Sequence, residues 1–266
     1  MTIPVALSIA GSDTIGGAGI QADLKTFSAL GVYGTTAITA LTAQNTRGVT
    51  AIHESPADFV AAQIDAVMSD LAVGAVKIGM TASEPIIETI TERLIHWKAK
   101  NVVLDPVMIA TSGDRLLAED AVEAIRTRLI PVASLATPNL PEAAALLEEE
   151  VAQTEDEIVG QGRRILRLGV PAVLIKGGHG EGPQSIDYLI REDQVIRLAA
   201  ERVRTKNVHG TGCTLSSAIA AGLAKGHSLE EAVGEAKDYV SAAIAEADRL
   251  QLSRDHGPIH HFHAFY

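Results

Sequence analysis

The segment Val5-Ala-Leu-Ser-Ile9-Ala-Gly-Ser-Asp13 contains a short apolar run that is followed directly by small and polar residues. An apolar run of this length is typical of a strand that is buried on both faces of a parallel sheet. The residues Gly11-Ser-Asp13 then lie at the carboxyl end of the strand, where ligands collect in such sheets. The segment predicts an α/β fold with a ligand site along one edge of its sheet.

The same unit recurs along most of the chain. Strand-like runs alternate with segments that carry apolar residues at helical spacing, such as Val60, Ile64 and Leu71. The predicted strands cover residues 5–9, 35–42, 73–78, 102–104, 133–136 and 170–175. This alternation predicts parallel strands with helices on both faces of the sheet.

Two later runs break the pattern. Residues 185–190 and 195–198 predict a β-hairpin, so the sheet is expected to have an antiparallel part. Two helices are expected to follow, over residues 211–225 and 229–250, and Ser228 with Glu231 forms the capping box of the second. Because no linker, repeat or low-complexity tract interrupts the 266 residues, we predict one domain over residues 1–266.

Composition excludes several classes of function. The net charge is -11, which disfavours DNA or RNA as a partner because phosphate neutralisation needs clustered Lys and Arg. No apolar run approaches the ~20 residues of a membrane-spanning helix. The N-terminal residues lack the basic stretch and cleavage site of a signal peptide. The single cysteine, Cys213, allows no internal disulfide and suits a reducing cytoplasm.

Polar residues follow most of the predicted strands. They occur at Gly11-Ser-Asp13, Gln44-Asn45, Gly79-Met80, Asp105-Pro106, Thr137-Pro-Asn139 and Lys176-Gly-Gly178. Since the carboxyl ends of parallel strands meet at one edge of the sheet, these residues are expected to surround one active site.

Gly17-Ala-Gly19-Ile-Gln-Ala22 formally matches the dinucleotide fingerprint G-x-G-x-x-A after a first strand. That fingerprint needs an acidic residue roughly 20 positions later for the ribose, and no acid occurs between Asp23 and Glu54. The pattern therefore argues against a NAD-linked oxidoreductase, and no P-loop motif is present. The glycines predict either a flexible turn or a mobile flap over a small substrate.

The stretch His209-Gly-Thr-Gly-Cys213 leads into a run of small residues, 214–222, that can pack a helix closely on the sheet. Two glycines at a helix start expose backbone amides which, with the helix dipole, form an anion site. A side chain that accepts a proton would then lie beside a transferring phosphoryl group. A glycine turn before a packed helix with an inert buried cysteine is an equal alternative on the residues alone.

Two other motifs also have structural alternatives. Asn139 and Glu142 have the spacing of a helix capping box, with Pro141 in the first turn, and the residues alone favour that interpretation. Lys176 follows a strand and precedes two glycines, so its ammonium could reach nucleotide phosphates, although most lysines are simply solvated.

Taken together, these segments resemble the ribokinase superfamily, and within it the hydroxymethylpyrimidine/phosphomethylpyrimidine kinases of thiamine biosynthesis. The resemblance also includes the glycine turn, and it spans nearly the whole chain. The other matching motifs are Ala10-Gly-Ser-Asp-Thr-Ile-Gly-Gly-Ala-Gly-Ile-Gln-Ala-Asp-Leu-Lys-Thr26, Thr42-Ala-Gln-Asn-Thr46, Lys77-Ile-Gly-Met80, Asp105-Pro-Val-Met108, Thr137-Pro-Asn-Leu-Pro-Glu142, Lys176-Gly-Gly-His179 and Gly257-Pro-Ile-His-His-Phe-His263.

The resemblance implies a ribokinase-like three-layer α/β/α fold with a mostly parallel central sheet and some antiparallel edge strands. It implies ATP-dependent phosphorylation of 4-amino-5-hydroxymethyl-2-methylpyrimidine and then of its monophosphate, by a cytoplasmic homodimer. Within the superfamily, a pyridoxal or pyridoxine kinase is the nearest alternative. A non-catalytic nucleotide-binding protein that keeps only the fold is a further alternative.

The resemblance also implies roles for the glycine turn. Cys213 occupies the position at which most of the superfamily carries an aspartate base, and it is expected to take the proton of the acceptor. The amides of Gly210, Gly212 and Cys213 are expected to hold the moving phosphoryl group. A free thiol has a pKa of ~8.5, and because a helix N-terminus can lower it, we expect a thiolate near neutral pH.

The remaining roles concern ATP, metal and substrate. Asn139, Lys176 and Thr211 are expected to bind ATP, and Asp105 and Glu142 are expected to bind Mg²⁺, which prefers oxygen ligands. Gln44 offers a donor and an acceptor that match an aminopyrimidine edge. By resemblance, Asp23, Ala18, Met80 and Val107 complete the substrate pocket.

Two expectations concern the surroundings of the site. Residues 12–17 and residues 110–113 are predicted to form flaps that cover the pocket. Four histidines near the C-terminus have a spacing that matches no zinc signature, and they are expected to be structural or to form a contact surface. They are His256, His260, His261 and His263.

Overall fold

A computed structural model describes residues 2–108, 119–178, 182–252 and 255–266. Within these ranges, nine strands form one sheet: β1 Val5–Ser12, β2 Tyr33–Asn45, β3 Gly48–Glu54, β4 Val73–Ile78, β5 Val102–Leu104, β6 Leu135–Ala136, β7 Val173–Ile175, β8 Gln184–Ile190 and β9 Val195–Glu201. The α-helices are α1 Gly19–Ala29, α2 Ala57–Asp70, α3 Glu84–His96, α4 Glu119–Ala124, α5 Leu140–Leu147, α6 Glu155–Leu166, α7 Thr211–Ala224 and α8 Leu229–Ala245.

The strand order is β3-β2-β1-β4-β5-β6-β7-β8-β9. The pairs from β2 through β7 are parallel, whereas β3, β8 and β9 run antiparallel to their neighbours at the two edges. The predicted mixed sheet and the hairpin of β8 and β9 are confirmed. The carboxyl ends of β1, β4, β5, β6 and β7 lie at one edge, because these strands are parallel.

Strand β3 was missed by the sequence prediction. It pairs antiparallel with β2, from Ala40 opposite Glu54 to Asn45 opposite Gly48. All its residues are exposed or half-buried, so the strand has no buried apolar face that a sequence pattern could reveal. Its backbone hydrogen bonds to β2, rather than burial, define it as a strand.

Helices cover both faces of the sheet, as predicted. Helices α2, α3, α4, α5 and α6 pack on one face, where Leu7, Ile9 and Ile78 contribute strand side chains to the core. Helices α1, α7 and α8 pack on the other, against Ala6, Ala75 and related residues. Because side chains alternate along a strand, Ser8 and Lys77 point towards the α1 and α7 layer. The polar groups of that layer matter for the site described below.

One helix is irregular, and another ends earlier than predicted. Helix α4 is followed by a π-helical turn at Ile125–Leu129 and a 3₁₀ turn at Ile130–Val132. Pro131 lies in that last turn, and proline supplies no amide hydrogen for a regular helical bond. The final helix α8 ends at Ala245, and the predicted remainder is a 3₁₀ turn at Ala247–Leu250. No helix of the described ranges is long and apolar enough to cross a membrane.

Close packing between α7 and α8 fixes the direction of α7. A Cβ atom added at Gly222 would lie 2.8 Å from the Cβ atom and 3.1 Å from the Cα atom of Ala232. The two helix backbones therefore approach each other at a distance that only glycine permits. This contact holds α7 with its N-terminus, residues 210–213, at the ligand edge of the sheet.

We predict opposite effects for two glycine substitutions in these helices. Gly222→Ala should destabilise the fold by about 1–3 kcal/mol, because the added methyl group must push α8 away. Gly234→Ala in α8 is the matched control, since an added Cβ atom there meets no atom within 4 Å, and it should gain about 0.5–1 kcal/mol of helix propensity. Thermal or urea unfolding measures both. Equal stability of the two variants would contradict the packing argument.

Candidate active site

The polar ends of the strands surround a cavity of about 570 Å³, a size suited to small ligands. All the predicted site residues line this cavity except Asp23. They are Ala18, Gln44, Met80, Asp105, Val107, Asn139, Glu142, Lys176, Gly210, Thr211, Gly212 and Cys213. The topology thus collects residues from positions 18 to 213 of the chain at one edge of the sheet.

The cavity contains a cluster of three charged residues, Asp105, Glu142 and Lys176, which we call the strand-end cluster. Asp105 follows β5, Lys176 follows β7, and Glu142 lies in the first turn of α5. The Lys176 Nζ atom donates to Asp105 Oδ1 at 2.6 Å and lies 3.7 Å from Glu142 Oε2. Thr137 and Ser216 hydroxyls add weaker hydrogen bonds to Asp105, each of 3.3 Å. Two carboxylates therefore share one ammonium.

This charge balance perturbs the acidity of the cluster. Burial raises the pKa of Glu142 to about 7, with Asp105 adding to the rise and Lys176 and two backbone amides opposing it. Burial opposes the charged form of Lys176, but Asp105 and Glu142 outweigh it and raise the pKa of that ammonium. Lys176 therefore stays charged, but its single positive charge does not balance the negative charges of both Asp105 and Glu142. A further cation near Glu142 would balance them.

Glu142 forms the capping box considered from the sequence and also faces the cavity. Its amide donates to Asn139 Oδ1 at 2.8 Å, and the Asn139 amide donates to Glu142 Oε2 at 2.8 Å, so the capping box is formed. The same carboxylate lines the cavity beside Lys176. The cap holds the Glu142 side chain in one orientation, because its bond to the Asn139 amide fixes the carboxylate.

The residues 209–213 form what we call the glycine turn, and it reaches the strand-end cluster directly. Gly210 adopts a left-handed backbone conformation with φ of 83°. A Cβ atom added at Gly212 would lie 3.3 Å from Lys176 Nζ and 3.6 Å from Asp105 Oδ2. The first backbone amides of α7 have no hydrogen-bond acceptor within the helix, and they lie beside the Lys176 ammonium. Free donors next to a positive charge favour the binding of an anion.

Cys213 differs from the sequence expectation. Burial raises the pKa of its thiol to about 11; Lys77 and the Gly19 amide oppose the rise, while Asp23 and Asp105 add to it. The predicted thiolate near neutral pH is therefore wrong for the protein without ligand. The helix terminus was expected to dominate, but loss of hydration and two nearby carboxylates dominate instead.

Asp23 lies below the cavity rather than in its wall. Its carboxylate is fully buried and accepts hydrogen bonds from Lys77 Nζ at 2.9 Å and from the hydroxyls of Ser8 and Ser217 at 2.6 Å each. The structure therefore does not bring Asp23 into the pocket with the other predicted substrate residues. Its contact within the site is Lys77, which lines the cavity.

Lys77 begins one of the motifs that carry the family resemblance, but no role was predicted for it. It is completely buried in β4, paired in register with Ser8 of β1. Burial lowers the pKa of the Lys77 ammonium, but the negative charge of Asp23, with Cys213 and Asp105, outweighs that effect and raises the pKa. A lysine inside an otherwise apolar predicted strand was the signal that could have found it, because buried lysines need a partner.

The predicted substrate residues other than Asp23 follow neighbouring elements of the sheet and line the same cavity: Ala18 and Gln44 lie beyond β1 and at the end of β2, Met80 follows β4 and Val107 follows β5. Gln44 is half-buried, and its Oε1 atom accepts a 3.2 Å hydrogen bond from Thr42 Oγ1. A Cβ atom added at Gly11 would lie 3.0 Å from Met80 Sδ, so the thioether lies against the backbone of β1. Polar and apolar walls are thus combined in one pocket.

Residues 13–18, which we call the N-terminal loop, are tied down by hydrogen bonds. Asp13 accepts from the amides of Ile15, Gly17 and Ala18 at 3.1, 2.9 and 2.8 Å. The Lys25 ammonium donates to the Gly16 carbonyl at 2.6 Å, and the Thr14 hydroxyl donates to the Thr42 carbonyl. The flap predicted over residues 12–17 stays a prediction. The flap predicted over residues 110–113 lies outside the described residues.

Two of the four C-terminal histidines are buried, whereas His263 is half-buried and His256 is exposed. His260 and His261 are buried, and burial lowers the pKa of His261 to about 3, with Lys25, His260 and His209 adding to the effect. Within the described parts of the chain, no three His, Cys, Asp or Glu side chains are close enough to hold a metal ion.

The far end of the cavity lies between β8, β9, α7 and α8. Lys237 donates to Asp187 Oδ2 at 2.7 Å, and the Gly177 amide donates to Asp187 Oδ1 at 2.9 Å. Both side chains line the cavity, with Leu215 and Val240 nearby in the same wall. The sequence analysis missed this ion pair, since Asp187 lies in a strand and Lys237 in a helix with no motif around them.

Known proteins resemble this chain over nearly its whole length. The family described as phosphomethylpyrimidine kinase matches residues 13–260. A hydroxymethylpyrimidine/phosphomethylpyrimidine kinase of Salmonella typhimurium is 56% identical over 261 residues, covering 98% of each chain. A thiamine biosynthesis bifunctional protein of Geobacter sulfurreducens is 48% identical over 255 residues, covering 96% of this chain and 51% of that protein.

A solved structure is also similar. The pyridoxal kinase of Staphylococcus aureus, in complex with AMP-PCP and pyridoxal, aligns with a TM-score of 0.91 and 32% identity, covering 100% of this chain and 96% of that one. The predicted ribokinase-like α/β/α architecture is confirmed. The chain belongs to the phosphomethylpyrimidine kinase family.

Proposed function

We propose that this member of the phosphomethylpyrimidine kinase family phosphorylates 4-amino-5-hydroxymethyl-2-methylpyrimidine and then its monophosphate, with ATP as donor. The reaction supplies the pyrimidine diphosphate of thiamine biosynthesis. The observation that carries the proposal is the strand-end cluster beside the amides of the glycine turn, in one cavity with Gln44. Kinases of this kind act by positioning and by electrostatic stabilisation of phosphoryl oxygens, which is what these groups offer.

Lys176 and the glycine turn are the groups that we assign to the phosphates. The ammonium of Lys176 supplies a fixed positive charge, since Asp105 holds it at 2.6 Å. The amides of Gly210, Gly212 and Cys213 supply donors at the start of α7, where the helix dipole favours negative charge. Thr211 and Asn139 line the same wall and complete the proposed ATP contacts.

Mg²⁺ is the cation that we propose for the strand-end cluster. Asp105 and Glu142 are oxygen ligands with one ammonium between two carboxylates, and that excess of negative charge fits a divalent cation. Mg²⁺ is commonly held by one or two carboxylates together with substrate phosphates, so no larger protein cage is required. When bound, it neutralises charge on the phosphate oxygens.

The two acceptors make different demands on Cys213. In the first step the alcohol oxygen bonds to the γ-phosphorus of ATP, the bond to the ADP oxygen breaks, and the alcohol proton must leave. We propose that the thiolate of Cys213 takes that proton. With a pKa of about 11, the thiolate is roughly one part in 10⁴ at pH 7. In the second step the phosphate acceptor has a second pKa near ~6 and is already ionised, so no base is needed.

The acceptor pocket is assigned to the predicted substrate residues. Gln44 can donate to a ring nitrogen and accept from the exocyclic amine of the aminopyrimidine. Met80 and Val107 are proposed as the apolar walls of the ring, and Ala18 lines the same cavity. Asp23 contributes through Lys77, which its carboxylate holds inside the sheet.

A pyridoxal kinase is the second candidate. It is favoured by the TM-score of 0.91 to a pyridoxal kinase solved with pyridoxal. Identity weighs against it, at 32% compared with 56% for the Salmonella relative. We further propose that the protein is a single kinase domain over residues 1–266 and a cytoplasmic homodimer. The exposed edge strand β3 and the half-exposed Leu41 and Ile52 leave apolar and backbone groups open to a second copy.

The direct test is a mass-resolved time course with the pyrimidine alcohol, Mg²⁺ and ATP. The monophosphate should appear first and the diphosphate should follow from it. Failure to form either product with active controls would refute the proposed function, whereas formation of the monophosphate alone would refute the second step. Analytical ultracentrifugation of the same sample checks the proposed homodimer.

We predict that Cys213→Ala affects the two steps unequally. The turnover of the alcohol should fall about 10²-fold or more, because a positioned base contributes that much, while turnover of the monophosphate should change less than about tenfold. In the wild type, first-step kcat/KM should rise between pH 7 and 9 as the thiolate fraction grows towards the pKa of about 11. Quenched-flow assays of each step measure this. Equal losses on both acceptors would exclude the base role.

We predict a specific magnesium defect for Glu142→Gln. The amide oxygen of glutamine still accepts the Asn139 amide, so the cap survives, but the charge is lost. The Mg²⁺ concentration for half-maximal rate should rise about tenfold or more. Glu157→Gln is the matched control, since Glu157 caps α6 in the same way outside the cavity. An unchanged magnesium requirement in Glu142→Gln would count against the metal assignment.

We predict that Gln44→Ala weakens binding of the pyrimidine and not of ATP. Loss of its hydrogen bonds should raise the KM for the alcohol about tenfold, with the KM for ATP within about twofold. Asn45→Ala, a change at the exposed neighbour, is the control. Steady-state kinetics with each substrate varied in turn separates the two constants. A similar rise in both KM values would refute the assignment of Gln44.

A further inference from the structure

Asp13 and His209 connect two segments that are far apart in sequence. The Nε2 atom of His209 lies 2.9 Å from Asp13 Oδ2, and both side chains are buried. A carboxylate can only accept, so the hydrogen lies on Nε2 of His209. Burial raises the pKa of Asp13, but the bond and charge of His209 and the loop amides outweigh it and leave that pKa lowered. The carboxylate is therefore ionised and fully used as an acceptor.

The two segments also touch through glycine backbone. A Cβ atom added at Gly210 would lie 1.8 Å from the Gly17 carbonyl oxygen, and one added at Gly17 would lie 2.5 Å from His209 Cδ2. The N-terminal loop, which presents Ala18 to the acceptor pocket, thus lies directly on the glycine turn, which presents its amides to the phosphates. Any shift of one segment moves the other.

The residues 257–261, which we call the C-terminal segment, hold His209 from its backbone. The His209 amide donates to the Gly257 carbonyl at 3.1 Å, and the Ile259 amide donates to the His209 carbonyl at 3.3 Å. His261 then lies 3.0 Å from the hydroxyl of Thr214, the residue after Cys213.

The C-terminal segment is itself anchored to α8. The His260 amide donates to the Ala243 carbonyl at 3.0 Å, and the Tyr239 hydroxyl donates to the His261 carbonyl at 2.5 Å. The C-terminal segment thus links α8 to His209, the first residue of the glycine turn, and to Thr214, the residue after it.

We propose that His209 is a positioning residue, held by the C-terminal segment, that ties the N-terminal loop to the glycine turn and so sets the acceptor against the phosphoryl group. The inference rests on the proposed function for its kinetic part. It assigns a purpose to the C-terminal histidine motif, which otherwise has no part in the chemistry. His209 acts through Asp13 and touches no reacting atom in this account.

The test compares His209→Leu with His209→Gln. Leucine removes the donor, and kcat should fall about 10²-fold, since a shift of about 1 Å between reacting groups costs that much. The KM for ATP should stay within about twofold, because Lys176 is held by Asp105. Glutamine places an amide donor near the Nε2 position and should restore kcat to within about fivefold of the wild type. His227→Leu and His227→Gln, at a half-buried histidine that is paired with Glu235 outside the cavity, are the controls.

A second readout does not depend on the acceptor. Cys213 is the single cysteine, so its alkylation by iodoacetamide reports directly on the turn. The Gly19 amide contacts Cys213, and release of the loop should expose the thiol. Alkylation should be several-fold faster in His209→Leu than in the wild type or His209→Gln. If His209→Leu does not fold, Asp13→Asn weakens the same bond from the loop, together with the loop's own bonds to Asp13. An alkylation rate equal to that of the wild type would then overturn the inference.

Three results would overturn the inference. The first is unchanged kcat in His209→Leu, and the second is an equal loss in His209→Leu and His209→Gln. The third is a uniform alkylation rate across the wild type and both variants. A wild type that phosphorylates no pyrimidine would refute the proposed function instead, and the alkylation rates would still decide the positioning role.

Discussion

The site depends on two buried carboxylates that share one ammonium. Asp105 takes the strong bond to Lys176 at 2.6 Å, and Glu142 lies farther, at 3.7 Å, with its pKa raised by burial to about 7. Two carboxylates outnumber the one ammonium, so a further cation would reduce their repulsion of anionic phosphates. This charge balance is the reason for proposing Mg²⁺ at the strand ends.

A second ion pair supports the site from inside the sheet. Lys77 and Asp23 are both completely buried, and the hydroxyls of Ser8 and Ser217 donate further hydrogen bonds to the Asp23 carboxylate. The pair joins β1, β4, α1 and α7, so removal of either partner would leave an uncompensated charge in the core. Both partners also act on Cys213: burial is the main cause that raises the pKa of its thiol, Lys77 opposes that rise, and Asp23 adds to it.

Much of the fold could be predicted from the sequence, since the apolar runs of β1, β4 and β5 and the helical stripes are strong local signals. Strand β3 could not, because its residues are exposed and only pairing defines it. The site residues at strand ends were predictable from topology. The Asp13–His209 and Asp187–Lys237 pairs were not, because they join distant segments. The Cys213 pKa was mispredicted because local sequence does not reveal burial.

The central claim is that the cavity selects a pyrimidine alcohol for phosphoryl transfer. A competition assay tests it most directly, with the pyrimidine alcohol and pyridoxal present together at equal concentration and Mg-ATP limiting. Mass spectrometry of the products gives the ratio of the two kcat/KM values. We expect pyrimidine phosphates in at least about tenfold excess over pyridoxal phosphate. A predominance of pyridoxal phosphate would contradict it.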